Sequence, residues 1–303
     1  MASFSPSEVA LTGFGVVRRN PQAVLIWAVL IAAFQLGLMY IMVSQIGSAL
    51  TDLQSFKAGS AADSARVMAT FGKVGPAYAL MMLLSLPYHG VLTAMMNRVV
   101  LRPKDSAFGF LRFGADEFRQ IGLTLMMFAV AIGGYIVMII ATVVLVLLGG
   151  LLKSAAGDFA GGLFIFLVIA AEIIFVFYAL LRLSLASALT FDKKKVDLFG
   201  SWSLTKGHTW SILGAFFLAM IIYLVVLLIG YVAIFGVTAA AAVGGGGDFI
   251  HAMFKPDMSS VAAYFTPFHL IMIVLGAPLA AIAQPIVYTV APAIYQALTK
   301  PEF

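Results

Sequence analysis

Residues 120–152 read QIGLTLMMFAVAIGGYIVMIIATVVLVLLGGLL, 33 consecutive positions without a charge. A hydrocarbon core of about 30 Å takes about 20 helical residues at 1.5 Å each, so this stretch alone is long enough to cross a membrane. Outward from it, apolar segments at 22–46, 76–100, 162–189, 211–242 and 267–298 join 120–150 to give six transmembrane helices. Composition agrees: 62% of the 303 residues are hydrophobic and 10% charged, against about 45–50% and about 25% in soluble chains. The period-2 alternation of an outer-membrane barrel is missing. The chain has no cysteine, which removes disulfides, thiolate catalysis and zinc–sulfur sites. One all-α membrane domain over residues 1–303 is expected. Its first span follows Arg18-Arg19-Asn20-Pro21 and is too long for a secretory signal core, so it reads as an anchor.

The basic residues orient the bundle. Arg18 and Arg19, then Arg98, Arg102, Lys104, Arg112 and Arg119, then Arg182, Lys193, Lys194, Lys195 and Lys206, and finally Lys300 make 13 of 18 cations. All fall on one side of a six-span topology, so both termini are expected in the cytoplasm. That placement also accounts for the net charge of +5 without nucleic acid as a partner. Two apolar stretches, 120–152 and 207–247, exceed the need of a bilayer and must tilt, extend or break. Gly133-Gly134, Gly149-Gly150 and the run Gly244 to Gly247 are the expected breaking points.

Phe14-Gly15, Phe108-Gly109 and Phe199-Gly200 recur at intervals of 94 and 91 residues, each just before an odd-numbered span. They suggest a threefold pseudo-repeat, about 1–104, 105–194 and 195–303, of an interfacial amphipathic helix followed by a helical hairpin. The first copy opens with Ser5-Pro6-Ser7-Glu8, a capping-box pattern, and the others begin near Ser106 and Asp197. In the middle copy Asp105, Arg112, Asp116 and Arg119 fall on one helical face, with Ala107, Phe110, Leu111, Gly114 and Phe118 on the other. In the third, Trp202 and Trp210 are expected at headgroup depth.

The segment Leu198-Phe199-Gly200-Ser201-Trp202-Ser203-Leu204-Thr205-Lys206-Gly207-His208-Thr209-Trp210, preceded by Arg182-Leu183-Ser184-Leu185-Ala186, resembles the glycerophosphoryl diester phosphodiesterase membrane-domain family and the related YciC-like bacterial inner-membrane proteins. The stretch from Val100 to Asp105 and on to Glu117 looks like alphaproteobacterial members. The resemblance implies a six-span topology and a bacterial inner-membrane location. It implies nothing catalytic, because the phosphodiesterase domain that names the family has no counterpart in this sequence.

Polar groups inside spans are the candidates for chemistry, since a charge in the bilayer centre costs at least about 2.5–3.5 kcal/mol. Glu172 is the one acid within a span, and His89 sits in Leu86-Pro87-Tyr88-His89-Gly90. Span six carries a parallel interruption at Gly276-Ala277-Pro278 and Gln284-Pro285, and broken helices in corresponding arms point to a midplane site. Glu172, His89, Tyr88 and Gln284 form that candidate site, with Glu172 and His89 as a proton-sensitive pair. The plainer alternative has Glu172 bonding a neighbouring helix while His89 and Gln284 serve kinked backbone. Arg112, Arg119, Arg182, Lys193, Lys194, Lys195, Trp202 and Lys206 are the candidate headgroup contacts. No catalytic set, metal ligand cluster or cofactor motif emerges. The expected partners are membrane lipids, a second copy of the chain or other envelope membrane proteins. The favoured activity is non-enzymatic lipid interaction or scaffolding, and proton-linked transport of a small solute or amphiphile is the alternative.

Overall fold

The computed structural model describes residues 4–54, 61–243 and 256–300, and every element among them is helical. Short helices α1 (Pro6–Ala10) and α2 (Thr12–Arg19) lead into α3 (Pro21–Gln54), and α4 (Ala61–Leu101) follows. A 3-10 turn, Ala107–Phe110, precedes α5 (Ala115–Ala156) and α6 (Asp158–Leu183). Next come α7 (Ala186–Lys193), α8 (Gly200–Leu204) and α9 (Thr209–Val243). The described chain closes with α10 (Val261–Tyr264), α11 (Pro267–Tyr288) and α12 (Val290–Thr299). Six helical segments, built on α3, α4, α5, α6, α9 and α11, are long and apolar enough to cross a membrane.

The breaks expected at Gly133-Gly134 and Gly149-Gly150 do not occur. Helix α5 runs unbroken for 42 residues through Gly133-Gly134 and Gly149-Gly150, about 63 Å at 1.5 Å per residue. An interior glycine costs about 1 kcal/mol, whereas opening the ladder in hydrocarbon strands backbone groups at several kcal/mol each. The helix therefore extends past the bilayer core. For the same reason α4 continues through Pro76 and Pro87, and α11 through Pro278 and Pro285, so neither arm is interrupted at midplane. Helix α9 is continuous to Val243; the Gly244 to Gly247 run lies outside the described residues.

Consecutive spans pack side by side, α3 on α4, α5 on α6 and α9 on α11, and the pairs join through α4–α5 and α3–α11. The spatial order is α6, α5, α4, α3, α11, α9, with α6 returning to α9 over a narrow contact. Gly157 alone connects α5 to α6, at a φ of +89° that an L side chain rarely adopts. The two largest buried clusters lie toward the end where the arginines gather. One unites Trp27 and Ile31 with Leu92, Met95, Met96, Phe110 and Ala281. The other unites Val9 and Ala10 with Leu185, Ile212, Ala215, Ile286 and Ile294.

At this basic end the three approach segments differ from one another. The middle copy is not an amphipathic helix. Phe108, Gly109 and Phe110 all have positive φ, and Asp116 and Arg119 belong to the first turns of α5. Two buried donors impose the turn: the Trp27 indole Nε1 donates to the Gly109 carbonyl at 2.7 Å, and Arg98 Nη1 to the Phe110 carbonyl at 2.6 Å. The first copy is two helices hinged at Leu11. Pro6 starts it as expected, but no side chain of the capping box bonds the backbone, and Ser5 Oγ instead pairs with Ser7 Oγ at 2.9 Å. In the third copy Asp197 Oδ1 accepts from the Gly200 N–H at 2.8 Å and starts α8.

Candidate functional site

Among the described residues the buried ion pairing is at the basic end. Arg98 in the last turn of α4 and Arg102 just past its end face Asp116 and Glu117 in the first turn of α5. Arg98 Nη2 donates to Glu117 Oε1 at 2.6 Å, and both side chains are buried. The other glutamate oxygen accepts from the Gly114 N–H at 2.9 Å and so caps α5. Asp116 pairs with Arg102 at 3.2 Å and with Arg119. Arg102 also donates to the Phe191 carbonyl at 3.1 Å and lies 4.5 Å over that ring, which ties in α7. A relay completes the join: Asn97 donates to Ser187 Oγ at 2.8 Å, and Ser187 Oγ to Gln120 Oε1 at 3.0 Å.

Against this network lies an open cavity of about 580 Å³, lined by Arg98, Arg102, Arg112, Arg119 and Lys194 with Asp116 and Glu117 as its acids. Five cations against two carboxylates make it attractive to anions. Arg112 carries a longer contact, 3.7 Å, to Asp105. Nearby, Lys193 pairs with Asp197 at 3.3 Å, and Lys194, Lys195 and Lys206 are exposed.

A second arrangement closes the end of α6. The Arg182 carbonyl accepts from Ser201 Oγ at 2.8 Å, Ser201 Oγ accepts from the Leu185 N–H at 3.1 Å, and Thr205 Oγ1 donates to the Ser201 carbonyl at 2.9 Å. These bonds latch α8 across the helix end and satisfy carbonyls that every helix terminus leaves open. The Arg182 guanidinium lies against the Tyr178 and Trp202 rings, 5.6 and 5.3 Å from their centroids, and the two rings meet edge to face at 5.8 Å.

The midplane candidates fall into two groups. Thr142 Oγ1 on α5 donates to Glu172 Oε1 on α6 at 2.6 Å. Tyr88 stacks on Phe34 at 3.7 Å, has His89 at its edge and Gln284 beside its hydroxyl. Gln284 Oε1 is buried without a hydrogen-bond partner among the described residues. Among those residues no hydrogen bond or ion pair joins Glu172 to His89.

Sequence reasoning missed the inward role of Arg98, Arg102, Asn97, Glu117 and Gln120. The available signal was a spacing: cations four apart at the end of one span opposite adjacent acids at the start of the next. No group of three or more metal-ligating side chains occurs among the described residues. Comparison of the chain with family models, curated proteins and solved structures finds no match.

Proposed function

We propose that this chain is a non-enzymatic protein of the bacterial inner membrane, with both termini cytoplasmic, that works by engaging lipid or by scaffolding envelope proteins. One observation carries the reading. Of the most apolar 18 residues in the α6 span none is buried, and of those in the α5 span 6% are, against 33% in the span of α11. The α5/α6 pair buries its own contact and little else, so Val137, Ile140, Phe166 and Ile174 are exposed along it. A six-span bundle built around a conduit would bury one face of each helix. Here their apolar surface is free for acyl chains or for a neighbouring protein, while the basic end is tied together by the buried Arg98–Glu117 pair and the ion pairs around it. The likeness of the Ser201-Trp202 segment to the YciC-like proteins supports the location and topology of this reading and adds no activity.

The test uses the absence of cysteine from the sequence. Single cysteines at positions 137, 140, 166 and 174, labelled with a fluorophore in vesicles, are expected to be quenched by brominated acyl chains or to cross-link to a neighbouring protein in native membranes. Fast reaction with water-borne thiol reagents at these positions and beside Glu172 would overturn the reading. A second reading, proton-linked transport of a small solute or amphiphile through Glu172, His89, Tyr88 and Gln284, is favoured by the unpartnered Gln284 oxygen beside Tyr88. It requires Glu172→Gln to abolish flux with expression intact.

A further inference from the structure

Three charged side chains are buried among the described residues: Arg98, Glu117 and Arg182. Arg98 and Glu117 neutralise one another. Arg182 is 4% exposed, its Nε is buried without a hydrogen-bond partner, and no carboxylate of the described residues lies within ion-pair distance. A guanidinium removed from water needs an anion or a full set of acceptors, and ring faces replace only part of what it loses. The aromatic frame is not assembled by the cation. Ser201 fixes α8 through the Arg182 carbonyl and the Leu185 N–H, so Trp202 would stand where it does whatever the side chain of residue 182.

Both rings are partly exposed, Trp202 by 36% and Tyr178 by 40%, so the frame opens sideways at the edge of the bundle. Trp210 is exposed at the start of α9, and Lys206, between the two tryptophans in sequence, is exposed as well. Tryptophans and a lysine around the last turn of an apolar helix mark headgroup depth. At that depth the abundant anion is a phosphate, whose oxygens match the planar donor fork of arginine.

We propose that Arg182, framed by Tyr178 and Trp202, receives the phosphate group of one membrane phospholipid per chain. The assignment rests on the reading that the basic end lies in a lipid headgroup layer and names the group it holds there. Free phosphate offers the same chemistry, and the experiment separates the two sources.

The full chain, purified in mild detergent and stripped of lipid by washing, is titrated with phosphatidylglycerol and, separately, with inorganic phosphate, read by native mass spectrometry and by the rise in Tm. Wild type is expected to take up one phosphatidylglycerol and to gain Tm. Arg182→Gln is expected to bind that first lipid at least about tenfold more weakly and to lose the gain, with Arg182→Lys recovering part of it. Lys153→Gln, at an exposed position at the opposite end of the bundle, is expected to behave as wild type. Should Arg182→Gln fail to fold, the Arg182→Lys titration decides. A Tm gain from inorganic phosphate equal to that from lipid, lost in the same variants, keeps the phosphate site and assigns it a soluble ligand. Equal lipid uptake by wild type and the Arg182 variants, or no uptake by either, overturns the site. Acyl-chain quenching along α5 and α6 would then still stand, so the loss of this site is distinguishable from the loss of the wider reading.

Discussion

Arg98 and Glu117 are both buried, and each is the other's nearest opposite charge, so neither tolerates the loss of its partner. Glu117→Gln keeps the shape of the side chain and leaves the buried guanidinium only the longer, partly exposed contact to Asp116 at 3.7 Å. It is expected to cost about 3–5 kcal/mol, read as a lower unfolding midpoint in detergent. Asp158→Asn, which breaks the exposed 3.3 Å pair with Lys153, is expected to cost under about 1 kcal/mol. Equal small effects would mean that the Arg98–Glu117 pair is not buried in the folded protein. The sequence shows a cluster of charge at this place but not its direction. Asp116, Glu117 and Arg119 are neighbours on one helix, and which of them turns inward is set by the packing of α4 and α7 against α5. Arg182 illustrates the same limit. Its position at a span end is legible as a topology signal, whereas its enclosure by Tyr178 and Trp202 depends on a latch formed 19 residues later by Ser201.

At the scale of elements, hydropathy reads where a helix lies and misreads what its glycines do. The pairs Gly133-Gly134 and Gly149-Gly150 look alike in sequence but differ in setting. A Cβ on Gly133 or Gly134 meets nothing within 4 Å, while one on Gly149 would come within 2.8 Å of Ile165. Gly161, across the contact, is tighter still: its Cβ would lie 2.5 Å from Lys153 Cβ and 2.9 Å from the Gly149 carbonyl oxygen. Gly161→Val is therefore expected to pry α5 from α6 and to cost about 1–3 kcal/mol. Gly133→Ala is expected to be neutral or to stabilise by up to about 1 kcal/mol. Thermal unfolding followed by circular dichroism checks both, and a destabilising Gly133→Ala would mean that this face of α5 is covered. The 3-10 turn at Ala107–Phe110 escaped the reading for a different reason. An amphipathic spacing persists there in sequence, but two distant donors, Trp27 and Arg98, capture the carbonyls that a helix would have used.

For the whole molecule, six spans follow from run length alone, because no other structure places 20 or more apolar residues in a row inside a bilayer. The standing of α5 and α6 apart from the tight basic end does not follow, since an apolar side chain is as compatible with lipid as with another helix. What sequence and structure share is polarity along the membrane normal. The buried ion pairs, the three approach segments and most of the cations are at one end, and that end is expected in the cytoplasm because basic residues near span ends resist translocation. The cysteine-free chain makes this testable with single labels. Ser154 at the end of α5 and Ser203 on α8 are both exposed and sit at opposite ends of the bundle. Ser154→Cys is expected to react with a membrane-impermeant thiol reagent added to intact spheroplasts, and Ser203→Cys only after the membrane is opened. The reverse pattern would invert the bundle and place the Arg182 frame in the outer leaflet. Labelling of both from outside would show that the helices between them do not cross the membrane.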